Sequence, residues 1–224
     1  MRIVVRVTIV FAALAIAGCS PAVERADDSA ASTTISTGDS TTGRVAAGYS
    51  RFAIGLWPGE GVPVFSAARP MLLLRASPDS AATVIDTLRA AIGASLQFDS
   101  THVETVQSGV IRVLDHIRVS GRDFGAITFL SRERYNSGAS RDTVIELSPP
   151  AVIELLQHRA EGTCFVRINA HVIDANPCPM LDKETTVLER TPVVLWWVRV
   201  QGPTHAGWIV IDESTARIVK RSVP

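Results

Sequence analysis

Cys164, His171 and Cys178 are the residues whose types and spacing first suggest chemistry, because six residues separate each neighbouring pair. Two thiols about an imidazole could hold a metal, form a Cys-His nucleophile pair, or close a disulfide around an ordinary histidine. Zinc knuckles place paired ligands two to four residues apart and need a fourth ligand, and neither is found in this stretch. A Cys-His hydrolase needs a free thiolate oriented beside its base. The thirteen intervening residues read as two strands turning near Asn169-Ala170, so the expected outcome is a Cys164–Cys178 disulfide in an oxidising compartment. Closing a loop of that size stabilises a fold by about 3 kcal/mol in the chain-entropy account. His102, His116, His158 and His205 lack signature neighbours, and neither a Gly-x-Ser-x-Gly elbow nor a phosphate-cradling glycine loop occurs. The expectation is a chain with no catalytic set, no metal and no cofactor.

The aromatic residues are better candidates for binding. Trp196 and Trp197 are consecutive in a strand-like run, so their side chains must leave opposite faces. Trp197, Arg199 and Trp208 are expected near a groove, with Trp196 as a further candidate, where an indole beside a guanidinium suits sugar or peptide contact. Trp57, set among Gly55, Pro58 and Gly59, is expected to pack on the folded body, with an exposed recognition role as the alternative.

These residues must be positioned by a body that begins well inside the chain. Among 224 residues, 22 Lys plus Arg balance 22 Asp plus Glu, which argues against a nucleic-acid partner. Residues 20–48 are rich in Ala, Ser, Thr, Gly and Asp and too poor in apolar residues to fold, so they read as a disordered tether. Its reach would be roughly 30 Å. From Tyr49 onward, short β-branched runs alternate with Gly, Pro, Asn, Asp and Ser turns, which predicts an all-β body. Two stretches, 77–93 and 148–158, carry capping residues and clustered apolar positions that predict helices on periodicity alone.

The amino terminus adds a compartment. Two arginines precede an apolar run over 7–17, too short to span a bilayer, and the run ends in Ile16-Ala17-Gly18-Cys19. This resembles the bacterial lipobox, which implies cleavage before Cys19, diacylation of its thiol and a firm membrane anchor. Ser20 after that cysteine, by resemblance to enterobacterial sorting rules, favours the outer membrane over the inner one.

Near the other end, Trp197-Val-Arg199, the turn at Gly202-Pro203 and Gly207-Trp208-Ile209 resemble the closing strands of bacterial Src-homology-3-like domains. In the first half, Leu73-Leu74-Arg75 with Pro78, then Val84-Ile85-Asp-Thr-Leu88 and Gly93, resemble the opening strands of the same family. Ile117-Arg-Val119 and Gly125-Ala-Ile-Thr-Phe129 stand where its closing strands would be, with Ala126 in place of the Trp. The resemblance implies a strand rather than a helix at 84–88. It also implies two tandem five-stranded barrels after the tether. The expected boundaries are a signal peptide at 1–18, the lipidated tether at 19–48, a divergent domain at 49–136, a connector at 137–161 and a second domain at 162–224. The function implied is a non-catalytic binding or scaffolding module of the envelope, contacting peptidoglycan or an envelope protein. The alternatives are a packing subunit without a ligand groove, and a small Cys- or metal-dependent hydrolase.

Overall fold

A computed structural model of the chain describes residues 51–57, 63–212 and 214–219. The lipobox, Cys19 and the tether expected at 19–48 lie outside the described residues. Seventeen strands and one short helix follow in order: β1 Phe52–Ile54, β2 Val64–Ala67, β3 Met71–Arg75, β4 Val84–Arg89, β5 Ser95–Leu96, β6 Phe98–Gln107, β7 Gly109–Val113, β8 Ile117–Asp123, β9 Phe129–Leu130, α1 Arg132–Asn136, β10 Arg141–Leu147, β11 Val152–His158, β12 Cys164–Ile168, β13 His171–Ala175, β14 Thr186–Arg190, β15 Val193–Gln201, β16 Ala206–Val210 and β17 Ala216–Val219. The mostly-β expectation holds. No helix among the described residues is long and apolar enough to cross a membrane.

The strands form three sheets: β4-β3-β16-β15-β6-β1-β9, β10-β8-β13-β12-β11-β7-β14, and β17-β2-β5. None closes into a barrel, so the two tandem five-stranded barrels expected from the resemblance are not what these pairings display. The first sheet instead draws on both halves of the chain, since β16 pairs with β3 and β15 with β6. These pairings join strands of the two halves, so neither half closes on itself.

Three cores result. One lies between the first and third sheets, where Phe65, Leu72, Leu74, Leu96, Val198, Val200 and Ile209 meet. A second fills one face of the middle sheet with Ile111, Val119, Ile145, Ile153, Val166 and Ile173, and includes both Cys164 and Cys178. The third joins the opposite face of that sheet, through Leu156, Phe165 and Val172, to Phe52, Ile54 and Val103 of the first. The long β6–β15 ladder, Val193↔Gln107 through Val200↔Phe98, runs past both the first and the third core and ties them together.

Both helix expectations fail, for different reasons. Residues 84–89 form β4 on the edge of the first sheet, as the family resemblance implied. Residues 152–158 form β11, flanked by β7 and β12. Ile153 and Leu155 enter one core and Leu156 the other, by the ordinary alternation of a strand. A strand buried on both faces has apolar residues at adjacent positions and so lacks the alternating apolar and polar pattern that marks a half-buried strand. The hairpin expected at 164–178 is present, with β12 and β13 joined at Asn169 and Ala170, both at positive φ. Such a two-residue turn follows the twist of its strands. Cys164 and Cys178 form a disulfide, with their Cα atoms 5.2 Å apart.

Candidate functional site

The first sheet has an inner face, packed on two cores, and an outer face. The five aromatic and arginine candidates divide between them. Trp57 and Trp196 lie inside: their rings meet edge to face at 4.7 Å, and Trp57 meets Phe65 at 5.7 Å. Trp57 packs on the first core and Trp196 on the third, so the pair bridges them. Trp57 and Trp196 thus both pack on the folded body, each half-buried.

Trp197, Arg199 and Trp208 share the outer face. Strand register sets Trp208 directly opposite Arg199 on β15 and opposite Arg75 on β3. Trp208 therefore stands between two arginines in one cross-strand row. The next row along pairs Trp197 with Val210 on one side and His102 on the other. His102 stacks on Phe129 at 5.7 Å and meets the edge of Trp208 at 6.1 Å. Its partial burial, which disfavours the charged imidazole, lowers its pKa below the ordinary 6.5. Leu73, two residues before Arg75 on the same side of β3, is 43% exposed, and Phe129 is 47% exposed. The face is thus an apolar band edged with arginines. Trp197 forms its floor, only 2% exposed, and its buried Nε1–H has no hydrogen-bond partner.

Arg75 donates from Nη1 to the carbonyl of Ala82 at 2.7 Å, and Arg199 from Nη1 to the Asp99 carboxylate at 3.2 Å. A guanidinium carries five donors, so both keep capacity for an incoming acceptor. Gly207 makes the arrangement possible. A Cβ at that position would lie 2.7 Å from the Cβ of Leu74, which is too close for any side chain without a shift of β3 or β16. Arg75, His102, Leu73 and Phe129 were not singled out as site residues. Alternation along β3 and β16 is the signal for the first, but only cross-strand register brings His102 and Phe129 to the same surface.

Asp86 governs the edge of this sheet. Its Oδ2 accepts from the backbone N–H groups of Thr204 and His205, and its Oδ1 from that of Thr87. The first two bonds hold the β15–β16 turn against β4. Together the three backbone donors, His205 first, lower the Asp86 pKa below its ordinary value.

The polar groups of the middle sheet are arranged differently. Asp174 accepts from Arg122, Tyr135 and Arg159, all within 3.0 Å. The Arg122 guanidinium also covers the Tyr135 ring at 4.2 Å. Burial opposes the charge on Arg159, yet Asp174 and Tyr135 together raise its pKa. This set latches α1 onto the sheet. His171 Nδ1 lies 3.0 Å from the Asp123 carboxylate, which Arg141 also approaches at 3.5 Å. His171 is therefore a hairpin residue hydrogen-bonded to Asp123, and Cys164, bonded to Cys178, is no free thiolate. Among the described residues, no three His, Cys, Asp or Glu side chains gather as a metal site.

No family model matches the chain, and no curated protein or solved structure shows significant similarity to it.

Proposed function

We propose that the protein is a lipid-anchored, non-catalytic binding module of the bacterial envelope, held through Cys19 to the outer membrane in preference to the inner one. The observation that carries the binding role is the outer face of the first sheet, where Trp208 stands between Arg75 and Arg199. Tryptophan and arginine are among the residues that carry most binding energy at protein interfaces. Peptidoglycan, or a peptide segment of an envelope protein, would be its partner.

The Src-homology-3-like resemblance supports this reading in a revised form. The opening-strand residues Leu74 and Leu88 and the closing-strand residues Val198 and Ile209 meet in one core. We therefore read 63–101 and 194–219 as one Src-homology-3-like unit, interrupted by a second β body at 102–193. Two complete copies in tandem would require separate cores for the two sets of residues. Expression of 63–101 joined by a short linker to 194–219 tests it: a cooperative melt supports one unit, and an unfolded product counts against it.

Two measurements test the function. Mass spectrometry of membrane fractions should find residue 19 acylated at the amino terminus, and an unmodified residue 19 on a released product overturns the anchor. The full chain in detergent, mixed with purified cell-wall sacculi at low salt, should sediment with them. Failure of the wild-type chain to sediment removes the cell wall as its partner. The second reading, a packing subunit, rests on exposed Met71, Leu73 and Phe129. It predicts co-purification with one envelope protein that survives Arg75→Ala with Arg199→Ala.

A further inference from the structure

We infer that the outer face of the first sheet takes a carboxylated polysaccharide, with one sugar ring on Trp208 and acid groups on Arg75 and Arg199. The inference rests on the binding-module reading and names the ligand class for the same surface. The spacing comes first. Arg75 and Arg199 stand on strands either side of β16, so their Cα atoms are roughly 10 Å apart, twice the distance between neighbouring strands. The indole between them offers a flat apolar face for the C–H side of a pyranose. Each guanidinium offers a planar fork that matches a carboxylate.

Charge complementarity points the same way. Arg75, Arg89 and Arg199 belong to this face, and the acidic side chains near it are already engaged. Asp99 bonds to Arg199, and Glu104 lies 3.6 Å from Arg51. Asp86 is turned to three backbone donors.

An acidic peptide fits less well. Peptides commonly bind a sheet by adding a strand to its edge, and β4 is the edge strand nearest this face. Ala90 N–H bonds to the Pro70 carbonyl, so by alternation the Thr87 N–H points away from β3 toward the open edge. Asp86 Oδ1 already accepts that N–H at 2.7 Å, which closes the middle of the edge to an incoming strand. The alternative is a deep pocket for an anchoring side chain. The depression at Pro70, Met71, Arg89, Ala90 and Ala91 is instead shallow and open. A wide platform suits a stacked ring.

The test is a titration of the full chain in detergent, followed by tryptophan fluorescence and calorimetry, with three probes of similar length. They are an oligogalacturonate, a neutral chitooligosaccharide and an oligoglutamate. The oligogalacturonate should bind about tenfold or more tightly than either of the others. Arg75→Ala and Arg199→Ala should each weaken it by about fivefold to tenfold, the scale of one charge-assisted contact. Trp208→Ala should abolish it, Trp208→Phe should retain part, and Trp57→Phe should leave it within about twofold. Should Trp208→Ala fail to fold, the arginine variants still decide. Equal binding of the neutral sugar, or tighter binding of oligoglutamate, overturns the carboxylated sugar while leaving a binding module. If no probe binds yet sacculi retain the chain, the inference falls alone; if sacculi also fail to retain it, the cell wall falls as the partner with it.

Discussion

Trp196 and Trp197 differ by one position, yet the two sides of β15 assign them to different tasks. Toward the inside, Trp196, Trp57, Phe65 and Phe98 form a run of edge-to-face rings that joins two cores. Toward the outside, Trp197 is a floor, and Trp208 stands above a surface edged by Arg75 and Arg199. The comparison teaches that aromatic content alone does not mark a binding surface. What separates the sides is setting: the inner rings pack on one another across two cores, whereas Trp208 meets His102 on a face that also carries Arg75 and Arg199.

Substitutions can break or sharpen that contrast. Phe65→Ala, on the inside and fully buried, should cost about 3–5 kcal/mol in urea unfolding. A change under about 1 kcal/mol would mean that the inner rings do not carry the fold. Removing the disulfide with Cys164→Ser and Cys178→Ser should cost about 3 kcal/mol, comparable in size but confined to the middle sheet. Sugar binding at Trp208 should survive that change wherever the fold does. Gly207→Ala pushes a methyl group against Leu74 and should cost about 1–3 kcal/mol while also weakening binding. It is the one substitution expected to register on both sides of the sheet.

Smaller effects should follow pH in two separate windows. The folded-state pKa of Asp86 lies below its ordinary 3.8, so its contribution is fully present above that value and is lost as pH falls through the lower one. Asp86→Asn should remove this acid limb from a plot of stability against pH. The folded-state pKa of His102 lies below 6.5, so the fold favours the neutral ring. Its contribution is present above pH 6.5 and declines as pH falls toward the depressed value. His102→Phe should flatten stability across that interval. The smallest change in stability is expected from Trp208→Ala, within about 1 kcal/mol, together with the largest loss of binding.

Much of the local structure was legible in residue order. The 164–178 hairpin announced itself through two β-branched runs about Asn169-Ala170, and its cysteines lay at a separation that a disulfide can close. Opposite orientations for Trp196 and Trp197 followed from the strand alone. The stretch at 148–158 misled, because β11 is buried on both faces and its adjacent apolar residues, Leu155 and Leu156, enter different cores. Asp86 was also missed. Its three partners are backbone N–H groups, one of them adjacent and two more than a hundred residues away, and such donors carry no side-chain signature.

The two-copy expectation shows where residue order stops. Each half contains motifs that resemble the same family, and order alone cannot distinguish two complete units from one divided unit. By itself the sequence determined the strand-rich body, the hairpin and its disulfide, and that the two tryptophans of β15 leave opposite sides. These depend on contacts within a few residues or on period-two alternation. Tertiary structure decided that β3 meets β16 and that β6 meets β15, and hence that Arg75, Trp208 and Arg199 stand in one row. Pairing between distant strands is selected by the fit of whole buried faces, with Leu74 against Gly207 and Phe65 against Trp57. That fit comes into being only as the faces close on one another.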